Sequence, residues 1–297
     1  MKVWIQAARL RTLPLAMSSI IFGSACAVHF DFFNPWIFIS ALTTTICLQI
    51  LSNFANDYGD ALSGKDNEGR IGPSRAVSSG EISSLAMKKA MVIFAGFSFV
   101  LGLFLILLAF SNYLLYLSVF LALGLAAIAA AIKYTVGKNP YGYRGLGDLF
   151  VFLFFGLVGI LGSYFLFSKQ LDWAVVLPAI SGGCLSVAVL NFNNMRDIEN
   201  DTKTGKRTLA VMLGLQRAKQ YQYILIIVGF FALIVFALLE NFNLRQYLFL
   251  LLAPFFAQII KSMIRNNNPV AFDPYLKKTA LGTFGLSLLF LIAVLLG

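Results

Sequence analysis

Apolar residues fall in blocks of about twenty along the whole chain, at roughly 13 to 30, 36 to 56, 87 to 110, 113 to 133, 147 to 167, 173 to 194, 220 to 239, 246 to 263 and 279 to 296, with polar stretches between them. About twenty residues is the length an α-helix needs to cross a bilayer. The two-residue alternation of a membrane β-barrel is absent, and helices are the other structure that satisfies backbone polar groups in lipid. The pattern predicts an all-α, polytopic membrane protein with about nine transmembrane helices in one bundle. Composition agrees: of the 297 residues, 59% are hydrophobic and 12% charged, with a mean hydropathy of +0.81. An ordinary water-soluble domain is excluded.

The charges set an orientation. If the amino terminus is cytoplasmic, 21 of the 23 Lys and Arg fall in the tail and inside loops, leaving Lys169 and Arg245 outside. That asymmetry is the positive-inside pattern, and it puts the carboxyl terminus on the opposite side. The net charge of +10 therefore reads as topology and as attraction to anionic lipid, not as a nucleic-acid surface. Residues 1 to 30 have the charge and apolar run of a secretory signal, with Ala25-Cys26-Ala27 as a cleavage-like site. They are read instead as the first span, because without them no helix carries the amino end out. Cys26, Cys47 and Cys184 lie inside spans, and His29 stands alone, so neither a disulfide frame nor a zinc site is expected.

The acidic residues are not scattered. Eight of 13 lie in two long inside loops: Asp57, Asp60, Asp66, Glu68 and Glu81 in the first, Asp197, Glu199 and Asp201 in the second. N-D-Y-G-D (56 to 60) and N-N-M-R-D (193 to 197) both read Asn-x-x-x-Asp at a membrane boundary. Downstream, A-V-S-S-G (76 to 80) echoes A-V-M-L-G (210 to 214). The offset is four helices, which suggests two four-helix repeats (13–133 and 147–263) plus an extra helix (279–296) in a single transmembrane domain.

Residues four apart share a helix face, so Asn56 stacks with Asp60, and Asn193 with Asp197 and Asp201. Carboxylates gathered at one membrane edge repel unless something positive lies between them. Oxygen-only clusters select a hard cation such as Mg2+, which takes few carboxylates and fills its shell with water or phosphate. Lys65, Arg70, Arg75, Arg196, Lys203, Lys206 and Arg207 crowd the same loops, and the combination describes a receptor for metal-bound diphosphate. Solvated loop charges are the plainer reading of any single residue. Asp148, near the start of the fifth span, reads as a helix cap.

Together, S-N-F-A-N-D-Y-G-D-A-L-S-G-K-D (52 to 66), G-R-I-G-P-S-R-A-V-S-S-G (69 to 80) and N-N-M-R-D-I-E-N-D-T-K-T-G-K-R-T-L-A-V (193 to 211) resemble the UbiA superfamily of intramembrane prenyltransferases. A-R-L-R-T-L-P (8 to 14) and Y-T-V-G-K-N-P-Y-G-Y-R-G-L-G-D (134 to 148) narrow the likeness to its 1,4-dihydroxy-2-naphthoate branch. The resemblance implies Mg2+ ligands at Asn56, Asp60, Asp66, Asn193, Asp197 and Asp201, with Asp60, Asp66, Asp197 and Asp201 central to catalysis. Much of the superfamily would place an acid at position 64, where this chain has Gly64.

It also implies substrate contacts at Asn53, Asn56, Asp57, Arg70, Arg75, Asn193, Arg196, Lys206 and Arg207, and on the loop carrying Lys133, Tyr134, Lys138, Tyr143 and Arg144. The implied reaction transfers a polyprenyl group from polyprenyl diphosphate to the naphthoate with decarboxylation, a step of menaquinone synthesis in the inner membrane. The tyrosines of that loop are candidates to stabilise an allylic cation through their ring faces. Another aromatic acceptor and, from a different class, a membrane transporter are the alternatives. A transporter predicts charge near mid-bilayer and inverted repeats, whereas these acids sit at the boundary and the halves run parallel.

Overall fold

A computed structural model describes residues 1–65, 71–72 and 75–297. Among the described residues all regular structure is helical. Among these residues nine helices are long and apolar enough to cross a membrane: α1 (Lys2–His29), α2 (Pro35–Leu62), α3 (Ser84–Phe110), α4 (Leu114–Lys133), α5 (Gly147–Ser168), α6 (Trp173–Arg196), α7 (Leu209–Leu239), α8 (Leu244–Ile264) and α9 (Pro269–Leu295). The protein is a multi-pass membrane protein.

Three helices extend beyond their apolar blocks, all at the same end of the bundle. α2 continues past residue 56 to Leu62, α7 begins at Leu209 rather than near 220, and α9 begins at Pro269 rather than near 279. Hydrophobicity marks where lipid is, but a helix persists wherever its polar side chains find partners. Arg9 (φ 49°) breaks α1 between Lys2–Ala8 and Leu13–His29. α7 is kinked at Gly214 (φ 73°, ψ 160°), a conformation glycine adopts at no steric cost.

α1 and α6 form the centre: 67% of the most apolar stretch of each is buried inside the protein, against none for α4. α1 packs on α2, α5 and α9, while α6 packs along α7 and against α5 and α9. In lipid, close packing rather than water exclusion drives such contacts. α5, which is π-helical over Phe152–Leu161, approaches α6 through Gly156, where a Cβ would lie 2.7 Å from the Ala179 carbonyl oxygen. Phe290 anchors a ring cluster with Phe22, Phe236 and Phe249 at centroid distances of 5.7, 5.6 and 6.0 Å. At the end of the bundle away from the acidic loops, His29 is paired with Glu240 at 3.1 Å, tying the last turn of α1 to that of α7.

Candidate active site

The end of α2, the 134–146 loop, the start of α5, the end of α6 and the short helix Ile198–Lys203 meet at one end of the bundle. α6 ends at Arg196, and Asp197 (φ −94°, ψ 9°) joins it to the short helix. Helical hydrogen bonding crosses that joint, since the Asp197 N–H donates to the Asn193 carbonyl at 3.2 Å and the Asp201 N–H to Asp197 at 2.8 Å. Asn193, Asp197 and Asp201 therefore do share one face.

That face looks onto Asp60 of α2. A small polar cavity is lined by Asp60, Lys65 and Arg75 from the first half of the chain and by Asn193, Asp197, Asn200, Asp201 and Lys206 from the second. Lys65 donates its ammonium to the Thr204 carbonyl, and Asn200 donates to the Lys65 carbonyl at 3.4 Å. Two loops some 140 residues apart are stitched together around the acids.

Each acid is held by a partner suited to it. Arg75 Nη2 lies 2.8 Å from Asp60 Oδ2, and the Tyr143 hydroxyl donates to Asp60 Oδ1 at 2.5 Å. The ammonium groups of Lys65 and Lys206 lie 5.8 and 5.6 Å from the centre of the Tyr143 ring. Room for this loop comes from Gly59, where a Cβ would sit 2.6 Å from the Thr135 carbonyl oxygen. Lys206 Nζ is 3.7 Å from Asp201 Oδ1, while Asp201 Oδ2 is buried with no hydrogen-bond partner.

Burial, partly offset by Lys206 and reinforced by Asp197 and Asp60, pushes Asp201 up to about 6. A cation that ligates Asp201 must displace its proton below that pH, so apparent Mg2+ affinity is expected to fall about tenfold per pH unit below about 6. Mg2+ titrations of substrate-analogue binding at about pH 5 and about pH 7 check this; equal affinities would contradict it.

Arg196, Asp57 and Asn53, expected to contact substrate, are committed to the protein instead. Arg196, 1% exposed, donates through Nε and Nη2 to both oxygens of Asp197 at 2.9 and 2.6 Å. It also reaches Asn193 at 2.9 Å and Asp273 of α9 at 2.5 Å. These are four hydrogen bonds within the protein, two of which grip the Asp197 carboxylate from behind. Asp57 accepts the backbone N–H groups of Ala76 and Val77 at 3.1 and 3.0 Å, which folds the chain back so that Arg75 meets Asp60. Asn53 donates to the Ala8 carbonyl and the Thr12 hydroxyl at 2.8 and 3.0 Å, tying the amino-terminal segment to α2.

Asn56, expected to ligate metal, accepts from Thr135 Oγ1 at 3.2 Å and is not a cavity wall. Lys133, Lys138, Arg144 and Arg207 are exposed; the Arg207 N–H donates to the Tyr143 carbonyl at 3.0 Å. Asp66 and Arg70 lie outside the described residues. Asp148 lies in the first turn of α5, where no side-chain cap hydrogen bond forms, and both its oxygens are buried without a hydrogen-bond partner on another residue. Lys65, expected only as one of the basic residues crowding the loops, is a cavity wall, and Asn200 was not expected there at all. Asn200 stands one residue from Asp201 and one turn beyond Asp197, a placement open to the same helical-face argument.

Of the loop tyrosines, Tyr143 is at the site, and Tyr141 donates to the Ala130 carbonyl at 2.8 Å while stacking on Phe150 at 4.1 Å. Burial pushes the phenols of Tyr134 and Tyr141 far up, and for Tyr134 the carboxylates of Asp148, Asp60 and Asp201 push the same way. Tyr134 therefore remains neutral.

The donor set fits Mg2+. Among the described residues no three acidic, His or Cys side chains form a ready-made metal cage, because Arg75, Arg196 and Lys206 draw the carboxylates to different sides. Mg2+ is commonly bound by one or two carboxylates plus substrate phosphates, and the unpartnered Asp201 oxygen leaves it a ligand.

The UbiA prenyltransferase family model matches residues 16–273. The chain is 43% identical to the 1,4-dihydroxy-2-naphthoate octaprenyltransferase of Haemophilus influenzae, over 100% of this chain and 97% of that one. It is 42% identical to the Escherichia coli protein of the same name, over 99% and 96%. The fold is similar to the solved structure of a UbiA homolog from Archaeoglobus fulgidus bound to DMAPP and Mg2+, with a TM-score of 0.60, 17% identity and 97% of each chain covered. The chain belongs to the UbiA prenyltransferase family.

Proposed function

We propose that this protein transfers a polyprenyl group from its diphosphate to 1,4-dihydroxy-2-naphthoate, with loss of CO2, giving demethylmenaquinol, the reduced demethylated precursor of menaquinone. The observation that carries the reading is the single cavity in which Asp60 faces Asp197 and Asp201 among Lys65, Arg75 and Lys206. The full-length likeness to proteins named as naphthoate octaprenyltransferases supports the acceptor. The site lies on the cytoplasmic side of the inner membrane, with the amino terminus on the same side and the carboxyl terminus opposite. α2–α3 and α6–α7 are equivalent pairs in two four-helix repeats. Their shared Ala-Val-x-x-Gly turns support this, since Gly80 and Gly214 have φ of 76° and 73°.

Asp60, Asp197 and Asp201, with Asn193 and Asn200, would hold Mg2+, which when bound supplies charge that neutralises the diphosphate as it leaves. Lys65 and Lys206 present ammonium groups to the same oxygens, an electrostatic stabilisation of the departing anion. Tyr143 and Arg75 fix the Asp60 carboxylate. The apolar bundle keeps water from the allylic carbon until the ring attacks.

Incubating purified protein with the naphthoate, a prenyl diphosphate and Mg2+ is expected to give a product whose mass equals acceptor plus prenyl group minus CO2. Chelator should abolish it. A product that forms equally with chelator, or no prenylated naphthoate at all, would overturn the reading.

A further inference from the structure

Asp148 is a buried acid for which neither the metal site nor the fold has a use. It lies in the first turn of α5 and is 6% exposed. Among the described residues it is the one buried carboxylate with both oxygens lacking a hydrogen-bond partner on another residue. A carboxylate at a membrane boundary is costly unless paired, and an unsatisfied one calls for a ligand. It is not itself a wall of the cavity, and its link to the cavity acids runs through Tyr134. Gly147 has no side chain, and a Cβ there would be 3.0 Å from the Tyr134 hydroxyl, which leaves that hydroxyl against the start of α5. Tyr134 in turn lies within electrostatic reach of Asp148, Asp60 and Asp201 together. From the other side the titratable neighbour is Tyr221 of α7.

The reaction above needs a proton acceptor. Attack by the ring requires a hydroxyl to lose its proton so that its electrons reach the ring carbon. Tyr134 and Tyr141 stay protonated, and Asp60 and Asp197 are held by Arg75 and Arg196. We propose that Asp148 is the base: it accepts the hydrogen bond of the ring hydroxyl next to the carboxylate-bearing carbon and takes that proton as the C–C bond forms. This rests on the naphthoate reading.

The electrons of the O–H bond pass into the ring to make the new bond, and the prenyl C–O bond breaks with its pair leaving on the diphosphate. The ring carbon then carries both the prenyl group and the carboxylate, beside a keto group. Loss of CO2 returns electrons to that keto oxygen, which takes back the proton from Asp148, so the acid ends as it began. The acceptor class is thus an arene with a hydroxyl adjacent to the prenylated carbon.

Asp148→Asn tests this. General-base removal is expected to lower kcat by about 10²-fold or more. Mg2+-dependent binding of a non-reactive prenyl thiodiphosphate should stay within about twofold, and thermal stability should hold or rise because an unpaired buried charge is gone. Asp148→Glu should recover at least about a tenth of the rate. Without donor present, wild type should bind the naphthoate about tenfold more tightly than its 1-methoxy analogue, and Asp148→Ala, which leaves no side-chain oxygen to accept from the hydroxyl, should bind both alike.

An Asp148→Asn variant that keeps its rate within about threefold or loses donor binding together with rate, or an Asp148→Ala variant that still discriminates between the two acceptors, would overturn the proposal. Wild type that makes no prenylated naphthoate would overturn the functional reading itself, and this inference with it.

Discussion

Asp60→Ala and Asp197→Ala are each expected to lower turnover by about 10³-fold or more while the protein still inserts and purifies, because each would remove a proposed ligand of the Mg2+ that neutralises the leaving diphosphate. The two acids come from opposite halves of the chain yet wall one cavity. Their losses should therefore be non-additive, with the double variant little worse than either single one. Steady-state assays in matched detergent check this. The geometry gives the two variants different secondary effects. Asp60→Ala frees Arg75 and Tyr143, which reach it at 2.8 and 2.5 Å, so the 134–146 loop should loosen. Asp197→Ala leaves Arg196 still paired with Asp273. Activity within about tenfold of wild type in both variants would remove the metal-site assignment.

Arg196→Met is expected to cause the largest loss of stability. It strips a bidentate partner from Asp197 and a second from Asp273, and breaking a buried pair by deleting one member costs about 3–5 kcal/mol. Because the guanidinium bridges α6 to α9, the damage should appear as separation of those helices in heating. Arg196→Lys should rescue little, since one ammonium cannot reproduce the fork that grips both Asp197 oxygens. A bound cation offers Asp197 a substitute partner, so Mg2+ with diphosphate should restore part of the loss. Thermal denaturation with and without Mg2+ and diphosphate checks both points; a variant as stable as wild type would contradict the clamp.

Helix number and the two acidic faces were legible because each follows from one rule, apolar length in one case and four-residue spacing in the other. What the sequence could not reveal is which way a polar side chain turns. Arg196 and Asp57 carry the composition of a substrate site, but their neighbours in space, Asp273 and the Ala76–Val77 backbone, are far away in the chain. The same holds for α2, whose apolar block stops near residue 56 while its helix runs to Leu62, because apolar pattern reports lipid depth rather than helical hydrogen bonding. Asp148 misled for the opposite reason: a carboxylate at a helix start usually caps, and only burial with no partner distinguishes this one.

The central claim is that both acidic clusters share the cations that hold one diphosphate. Its most direct test is binding of a non-reactive prenyl thiodiphosphate at rising Mg2+ in wild type, Asp60→Asn, Asp197→Asn and the double variant. Loss of Mg2+-dependent binding by about 10²-fold in either single variant, with little further loss in the double, is the predicted result. Two independent, additive losses, or a single variant that binds as wild type does, would contradict it.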